Sequence, residues 1–464
     1  MATLTLIKNA KLVPPPRNTA TTSDILIIGS TIAEIGKLPQ GSADVILDAK
    51  GGEVLPGVID CCSDGDTSLS IFLPAQWRTF HSHGVTTILG GGAGDSLAPM
   101  TTDFPEILMS YSAGGAVNRN WRTLTELLQA VEALQPSFQF ATLVSYNSTL
   151  AALSQCTKKH ERNKAVSSLL AAMLQQGARG ISVRITRDMR RWKEPLPYIL
   201  PLLARHDLPL VVAAAELLTE KEAYATVRKI SEEKQLAGRP ILFTRIPPYP
   251  SVLAYLARIF ENSPRYFAVA PSGGILLPLA ALSPLVAPKE RKRVTHLLPP
   301  PSHIFIARAP TNSTIVGKHL WHLAQTHRLA DTLHALRKTA ELTQGRAALL
   351  LRYPRLAPAH VVKELPFLIP STGTFAPINH SATLPALLAA GPRGSIDPEL
   401  AARTTLLPTR IFHLSKRGAI ARGYTADLVC ITDGEVQWIV RGGKKVYEKQ
   451  SYHNSSLASL HPIK

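Results

Sequence analysis

The sequence predicts an α/β chain: a (β/α)8 TIM-like barrel with a small discontinuous β-sandwich built from both chain ends. Three observations predict it. From Gly57 onward, short apolar runs alternate with longer amphipathic stretches, and eight such runs can close a parallel barrel. Before Gly57 the chain reads as strands and turns alone, and after Ala426 it returns to strands. The length of 464 residues is enough for a barrel and a second, smaller core.

Taken in order, Thr3 to Val13 alternates apolar and polar residues like an exposed edge strand, and Pro14-Pro15-Pro16 stops it. Asp24 to Ile28 and Thr31 to Ile35 flank Gly29-Ser30 and read as a hairpin. Ala43 to Asp48 adds a further strand. The barrel strands are Val58-Ile59, Val85 to Leu89, Phe138 to Val144, Gly180 to Ile185, Leu208 to Ala215, Pro240 to Ile246, Tyr266 to Ala270 and Phe367 to Ile369. Helical spacing marks Asn120 to Leu134, and Lys164 to Gln176 ends at Gly177, a helix stop. His303 to Arg308 is a candidate ninth strand. A helical segment, Gly317 to Leu351, dominates an insertion at about 302–366. Residues 1–56 plus 404–464 form the expected sandwich, and 57–403 the barrel.

Composition bounds the function classes. Lys and Arg (51) exceed Asp and Glu (33), a net charge of +18, but the basic residues are scattered in short runs and aromatics are only 6%. Nucleic-acid modules concentrate charge and interleave aromatics, so nucleic acid is not the expected partner. Four cysteines, two of them adjacent, make no disulfide framework, and a reducing, cytoplasmic location is expected. The N-terminus lacks the basic region and long apolar core of a signal peptide. Tyr266 to Pro288 is uncharged but broken by four prolines and two glycines, so no membrane span is read there.

The stretch Leu55 to Asp66 brings a Pro-Gly turn and a short apolar run up to small and acidic side chains, as a barrel strand does at its C-terminal end. Pro56-Gly57-Val58-Ile59-Asp60, paired with Gly418-Ala419-Ile420-Ala421-Arg422-Gly423-Tyr424-Thr425-Ala426-Asp427-Leu428-Val429, resembles the amidohydrolase superfamily. Gly84-Val85-Thr86-Thr87, Ala98-Pro99 and Gly177-Ala178-Arg179-Gly180-Ile181-Ser182 make the chain similar in particular to the N-acyl-D-amino-acid deacylases (D-aminoacylases), alongside dihydroorotase- and hydantoinase-like proteins. The resemblance implies hydrolysis of a carbon–nitrogen bond by metal-bound water. It also says where the metal residues should fall. The first-strand histidines fall on Cys62 and Asp64, and the loop cysteine on Ala93. The fifth-strand histidine falls within Val211 to Ala215, which has none. The sixth falls near Thr244-Arg245, and the catalytic aspartate on Thr372.

A divalent metal lowers the pKa of bound water from about 16 to about 7, and needs roughly three or four imidazole, thiolate or carboxylate ligands. Ala93 cannot ligate, and an inward Arg245 repels a cation. The expectation is therefore no cofactor, with zinc as the lesser reading, and a protein that has lost metal-dependent catalysis. Its mouth, lined by Asp64, Asp66, Ser182, Arg184, Glu216, Arg245 and His380, would bind a small molecule. Arg184 and Arg245 suit a carboxylate or phosphate, or else pair with Glu216 and Asp64 to neutralise the vacated cavity. A protein partner, such as an active paralogue, and a homo-oligomer are also expected. The alternatives are a divergent hydrolase of non-peptide carbon–nitrogen bonds and a polyanion-binding protein. His81-Ser82-His83 precedes the second barrel strand and so falls at the face away from the chemistry. His319, His322 and His327 read as a solvated helix face.

Overall fold

The structure, a computed structural model, describes residues 2–13, 21–39, 43–63, 65–100, 119–156, 158–185, 189, 192–214, 218–269, 274–279, 298–309, 311–352, 359–370 and 384–449. Strands β1 (Leu4–Leu12), β2 (Thr21–Ile28), β3 (Thr31–Gly36), β4 (Val45–Asp48) and β5 (Glu53–Pro56) come first. Then follow β6 (Val58–Asp60), β7 (Val85–Gly90), β8 (Gln139–Thr142), β9 (Val144–Ser145), β10 (Ile181–Ile185), β11 (Leu210–Ala214), β12 (Ile241–Thr244) and β13 (Arg265–Val269). After β14 (Gly274–Pro278), β15 (Ile304–Arg308), β16 (Ala348–Arg352) and β17 (Leu368–Pro370), the chain ends in β18 (Leu428–Thr432), β19 (Glu435–Arg441) and β20 (Lys444–Glu448).

The parallel strands run in one order. β6 pairs with β7 and β7 with β8. One residue on, β9 pairs with β10, and the ladder continues through β11, β12 and β13 to β17. Strand residues alternate between two faces. One face of these strands sends Ile59, Leu89, Leu143, Val211, Leu242 and Ile369 into a single cluster. The other face packs under helices: Ile88, Val183, Val212 and Phe243 join Leu127, Leu170, Ile199 and Val227. Two of these helices start at reciprocal caps, Thr123 with Glu126 and Thr219 with Glu222, each satisfying end N–H groups that the helix cannot.

The two chain ends share one sheet, in the order β20-β19-β18-β5-β1-β2-β3, with β4 also on β1. Its inner face has its own core, which includes Ile7, Ile25, Leu47, Cys430 and Trp438. β1 is not the edge strand its alternation suggested: it pairs with β2 on one side and with β4 and β5 on the other. Alternation reports that one face is buried and says nothing of how many neighbours a strand has. The stretch expected to be helical from Gly317 to Leu351 holds two helices, Leu320–Thr326 and Thr332–Thr343, and then the strand β16. β16 lies between β14 and β15 in a small antiparallel sheet with a separate core. Among the described residues no helix is long and apolar enough to cross a membrane.

Candidate functional site at the strand ends

The C-terminal ends of the parallel strands meet at a loop of small residues, Gly90 to Ser96, that runs across them. Gly90 ends β7, and a Cβ there would stand 2.8 Å from Asp66 Oδ2. The Gly91 N–H donates to Asp66 Oδ2 at 2.6 Å, and Thr244 Oγ1, at the end of β12, donates to the Gly92 carbonyl at 2.6 Å. Ser145 Oγ donates to the Gly94 carbonyl at 2.7 Å, and the Ser145 N–H to Ser96 Oγ at 3.0 Å. Gly94 has φ +85°, and a Cβ there would sit 3.0 Å from the Cβ atoms of both Ala213 and Arg184. The loop therefore seats its backbone where only small residues leave room. It is fastened from the segment after β6 and from β9, β10 and β12.

The last fastening is an ion pair. Arg184 Nη1, at the end of β10, lies 2.7 Å from Asp95 Oδ2. Asp95 is buried, and burial lifts its carboxyl above the ordinary range, against the opposing pull of the Arg184 and Arg245 charges. The Arg184 side chain stays 30% exposed and so reaches the solvent side of the mouth. A guanidinium has five N–H donors, and one of them meets Asp95.

The structure places part of the predicted set. Cys62 is buried, its N–H 3.3 Å from Asp60 Oδ1, and the loop at Gly92 approaches its Cα. Asp66 is fully buried and holds the loop rather than lining an open pocket. Ala93 is buried within the loop. Ser182 lies in β10, its buried hydroxyl without a hydrogen-bond partner among the described residues. Arg245 takes a left-handed backbone (φ 56°) just past β12, half-buried, close enough to Asp95 for its charge to act on that carboxyl. Asp64, Glu216, Thr372 and His380 lie outside the described residues. The partner described for Arg184 is Asp95, and the expected pairing with Glu216 and Asp64 falls on residues outside the described ones. Sequence reading missed Asp95, although it is the single carboxylate within Gly90 to Ser96.

The histidine pair before β7 is structural. His81 Nε2 is 2.5 Å from Ser137 Oγ, its ring lies against Tyr447, and burial pushes its pKa down to about 4. His83 Nδ1 accepts the Leu384 N–H. A cavity of about 630 Å³ nearby, lined by Ser82, Arg393, Asp433 and Tyr447, lies at the N-terminal side of β7, away from the mouth.

No family model matches the chain. An N-acyl-D-glutamate deacylase of Alcaligenes xylosoxydans xylosoxydans is 33% identical over 165 residues, 34% of this chain and 33% of that one. A D-aminoacylase of the same organism is 27% identical over 180 residues, 38% of this chain and 37% of that one. The chain thus spans about a third of the length of the curated relatives it matches. Among solved structures, the N-acyl-D-glutamate deacylase of Bordetella bronchiseptica superposes with a TM-score of 0.76 at 18% identity, covering 96% of both chains. D-aminoacylase gives 0.72 at 18% identity, covering 97% of this chain and 98% of that one. The chain has the D-aminoacylase fold. The resemblance read from the Pro-Gly-Val-Ile-Asp and Ala-Asp-Leu-Val motifs holds at the level of the whole fold, with relatives that are amidohydrolases.

These neighbours overturn the expectation of no cofactor. The Bordetella enzyme is complexed with zinc, D-aminoacylase has a binuclear metal centre, and a mutant of D-aminoacylase has been seen with CuCl2. The expectation took the family's ligand positions one at a time, and that procedure does not count ligands arriving from other segments of the mouth. Among the described residues, no group of three or more His, Cys, Asp and Glu side chains could hold a metal ion. The described residues alone do not fit one.

Proposed function

We propose that the chain is a divergent hydrolase of non-peptide carbon–nitrogen bonds whose mouth takes a small N-acyl amino acid. The scaffold in this reading is a closed barrel of residues 57–403, with an insertion at about 302–366, and a composite sandwich of 1–56 plus 404–464. One observation carries the substrate class: the partly exposed guanidinium of Arg184, held by the buried Asp95 at the edge of the mouth. A planar fork fixed on one side by a carboxylate is suited to grip a second carboxylate on the other, and Arg245 adds positive charge beside it. The names of the curated relatives support the same class, since both are deacylases of N-acylated D-amino acids. In this proposal Arg184 orients the substrate carboxylate, Asp95 fixes Arg184, and the loop Gly90 to Ser96 keeps water out of the strand ends behind it.

A second reading, binding without turnover, is favoured by Ala93, which stands where the family resemblance calls for a cysteine. One assay separates the two. Amino-acid release from a panel of N-acyl-D-amino acids is followed with added zinc and after chelation, the relatives' metal serving as an assay condition. Release above the uncatalysed rate supports hydrolysis. Saturable binding with background release supports the second reading. Neither binding nor release refutes both. Cytoplasmic location is kept as part of the proposal.

A further inference from the structure

We propose that the cavity between the turn joining β18 to β19 and the turn Pro392–Gly394 binds a small zwitterion, a free amino acid or short peptide with an apolar side chain. Its volume of about 630 Å³ is that of an ordinary small-molecule site. Four charged side chains line it, and two of them cancel, since Lys449 Nζ donates to Glu435 Oε2. The other two are Arg393 and Asp433. Among the described residues neither side chain has a hydrogen-bond or ion-pair partner. The wall therefore offers one unmatched guanidinium and one unmatched carboxylate, within a chain of net charge +18. A simple anion would suit Arg393 and be repelled by Asp433, and a simple cation the reverse. A molecule with a carboxylate at one end and an ammonium at the other satisfies both.

The two charges are held differently. Asp433-Gly434 is the two-residue turn of the hairpin, with φ of 52° and 72°, so turn chemistry alone explains an acid there. No such reason applies to Arg393. It has φ 58° and ψ 30°, a left-handed backbone that an arginine adopts only at a cost. The turn that carries it is pinned. The Gly391 N–H donates to the Ser395 carbonyl at 2.9 Å, and the Ile396 N–H to Glu53 Oε2 at 3.0 Å. The rest of the wall includes buried Val436 and half-buried Tyr447, which suit an apolar side chain. The Tyr447 ring lies 4.9 Å from the ring of His81, which Ser137 holds, so this wall is in place before a ligand arrives. The cavity stands apart from the mouth, and its occupation needs no turnover. In the hydrolysis proposed above, the released amino acid is itself such a zwitterion.

Titration calorimetry of the full chain with leucine and with alanyl-leucine, each up to about 10 mM, tests this. The expected result is a saturable site for at least one probe. Arg393→Gln and Asp433→Asn should each weaken it at least tenfold, and Arg184→Ala, at the mouth, should leave it unchanged. Both substituted residues are exposed, and Asn-Gly suits the hairpin turn as well as Asp-Gly, so both variants should fold, which circular dichroism verifies. Amidating the carboxylate of the better probe should also weaken binding at least tenfold. Tighter binding of leucine assigns the site to a free amino acid, and tighter binding of alanyl-leucine to a short peptide. No saturable heat with either probe overturns the proposal. So does binding that Arg184→Ala abolishes, that either Arg393→Gln or Asp433→Asn leaves intact, or that the amide matches.

Discussion

Arg184 Nη1 and Asp95 Oδ2, 2.7 Å apart, join the end of β10 to the loop that crosses the strand ends. The two residues are 89 positions apart in sequence, and their contact sets where the guanidinium stands. A buried carboxylate deprived of its cation pays a desolvation penalty, part of which it escapes by taking up a proton. Because Arg184 remains partly exposed, the pair is screened, and Arg184→Ala should cost about 1–3 kcal/mol. Asp95→Asn should cost less. In a double-mutant cycle read by urea unfolding, the two changes should couple by about 1 kcal/mol or more. Additive effects would mean the contact does not hold the loop.

The loop itself should tolerate little bulk. Gly94→Ala places a Cβ at a left-handed φ of +85°, against two neighbouring Cβ atoms at 3.0 Å. We expect a loss of about 1–3 kcal/mol, seen as a lowered urea midpoint. Thr244→Val removes the donor to the Gly92 carbonyl, and should cost about 1 kcal/mol.

Arg403 should be a larger structural liability. Its buried guanidinium donates to the carbonyls of Val362, Lys363 and Leu365 and pairs with Glu399, tying the helix Pro398–Thr404 to the end of Ala359–Glu364. Arg403→Met keeps the stem but strands three carbonyls, so a loss of about 3 kcal/mol or more is expected. If Arg403→Met and wild type unfold at the same urea concentration, the carbonyls have found other donors.

Acid stability should carry the signature of His81. Burial, assisted by the Arg78 charge, pushes its pKa down to about 4 from the ordinary 6.5 of a histidine. Between those values the unfolded chain binds more protons than the folded one. The contribution of neutral His81 is therefore complete above about pH 6.5 and is lost as pH falls toward about 4, in total about 3 kcal/mol. His81→Phe, which keeps a ring against Tyr447, should flatten this part of the stability–pH curve. An unchanged slope from pH 6.5 to 4 would assign the acid sensitivity elsewhere.

The parallel strands were legible because each is a short apolar run bounded by turn residues. Val85 to Leu89 and Gly180 to Ile185 fall within a residue of β7 and β10. β16 was not legible, since Ala347 to Leu351 is a continuous apolar run that suits a buried helix as well as a strand. Its assignment depends on β14, 74 residues upstream at Leu276↔Leu350 for instance, and periodicity does not see so distant a partner. At the site, Arg184 was found because strand-end positions are known to face the mouth. Asp95 was missed because a carboxylate in a glycine-rich loop has no periodicity to report where it points.

Titration calorimetry of N-acetyl-D-glutamate into the wild-type chain and Arg184→Ala is the most direct test of the site. The account predicts saturable binding to wild type and at least tenfold weaker binding to the variant, whose fold is checked in parallel by circular dichroism. Equal affinity in both proteins, or no heat of binding to wild type, would contradict it.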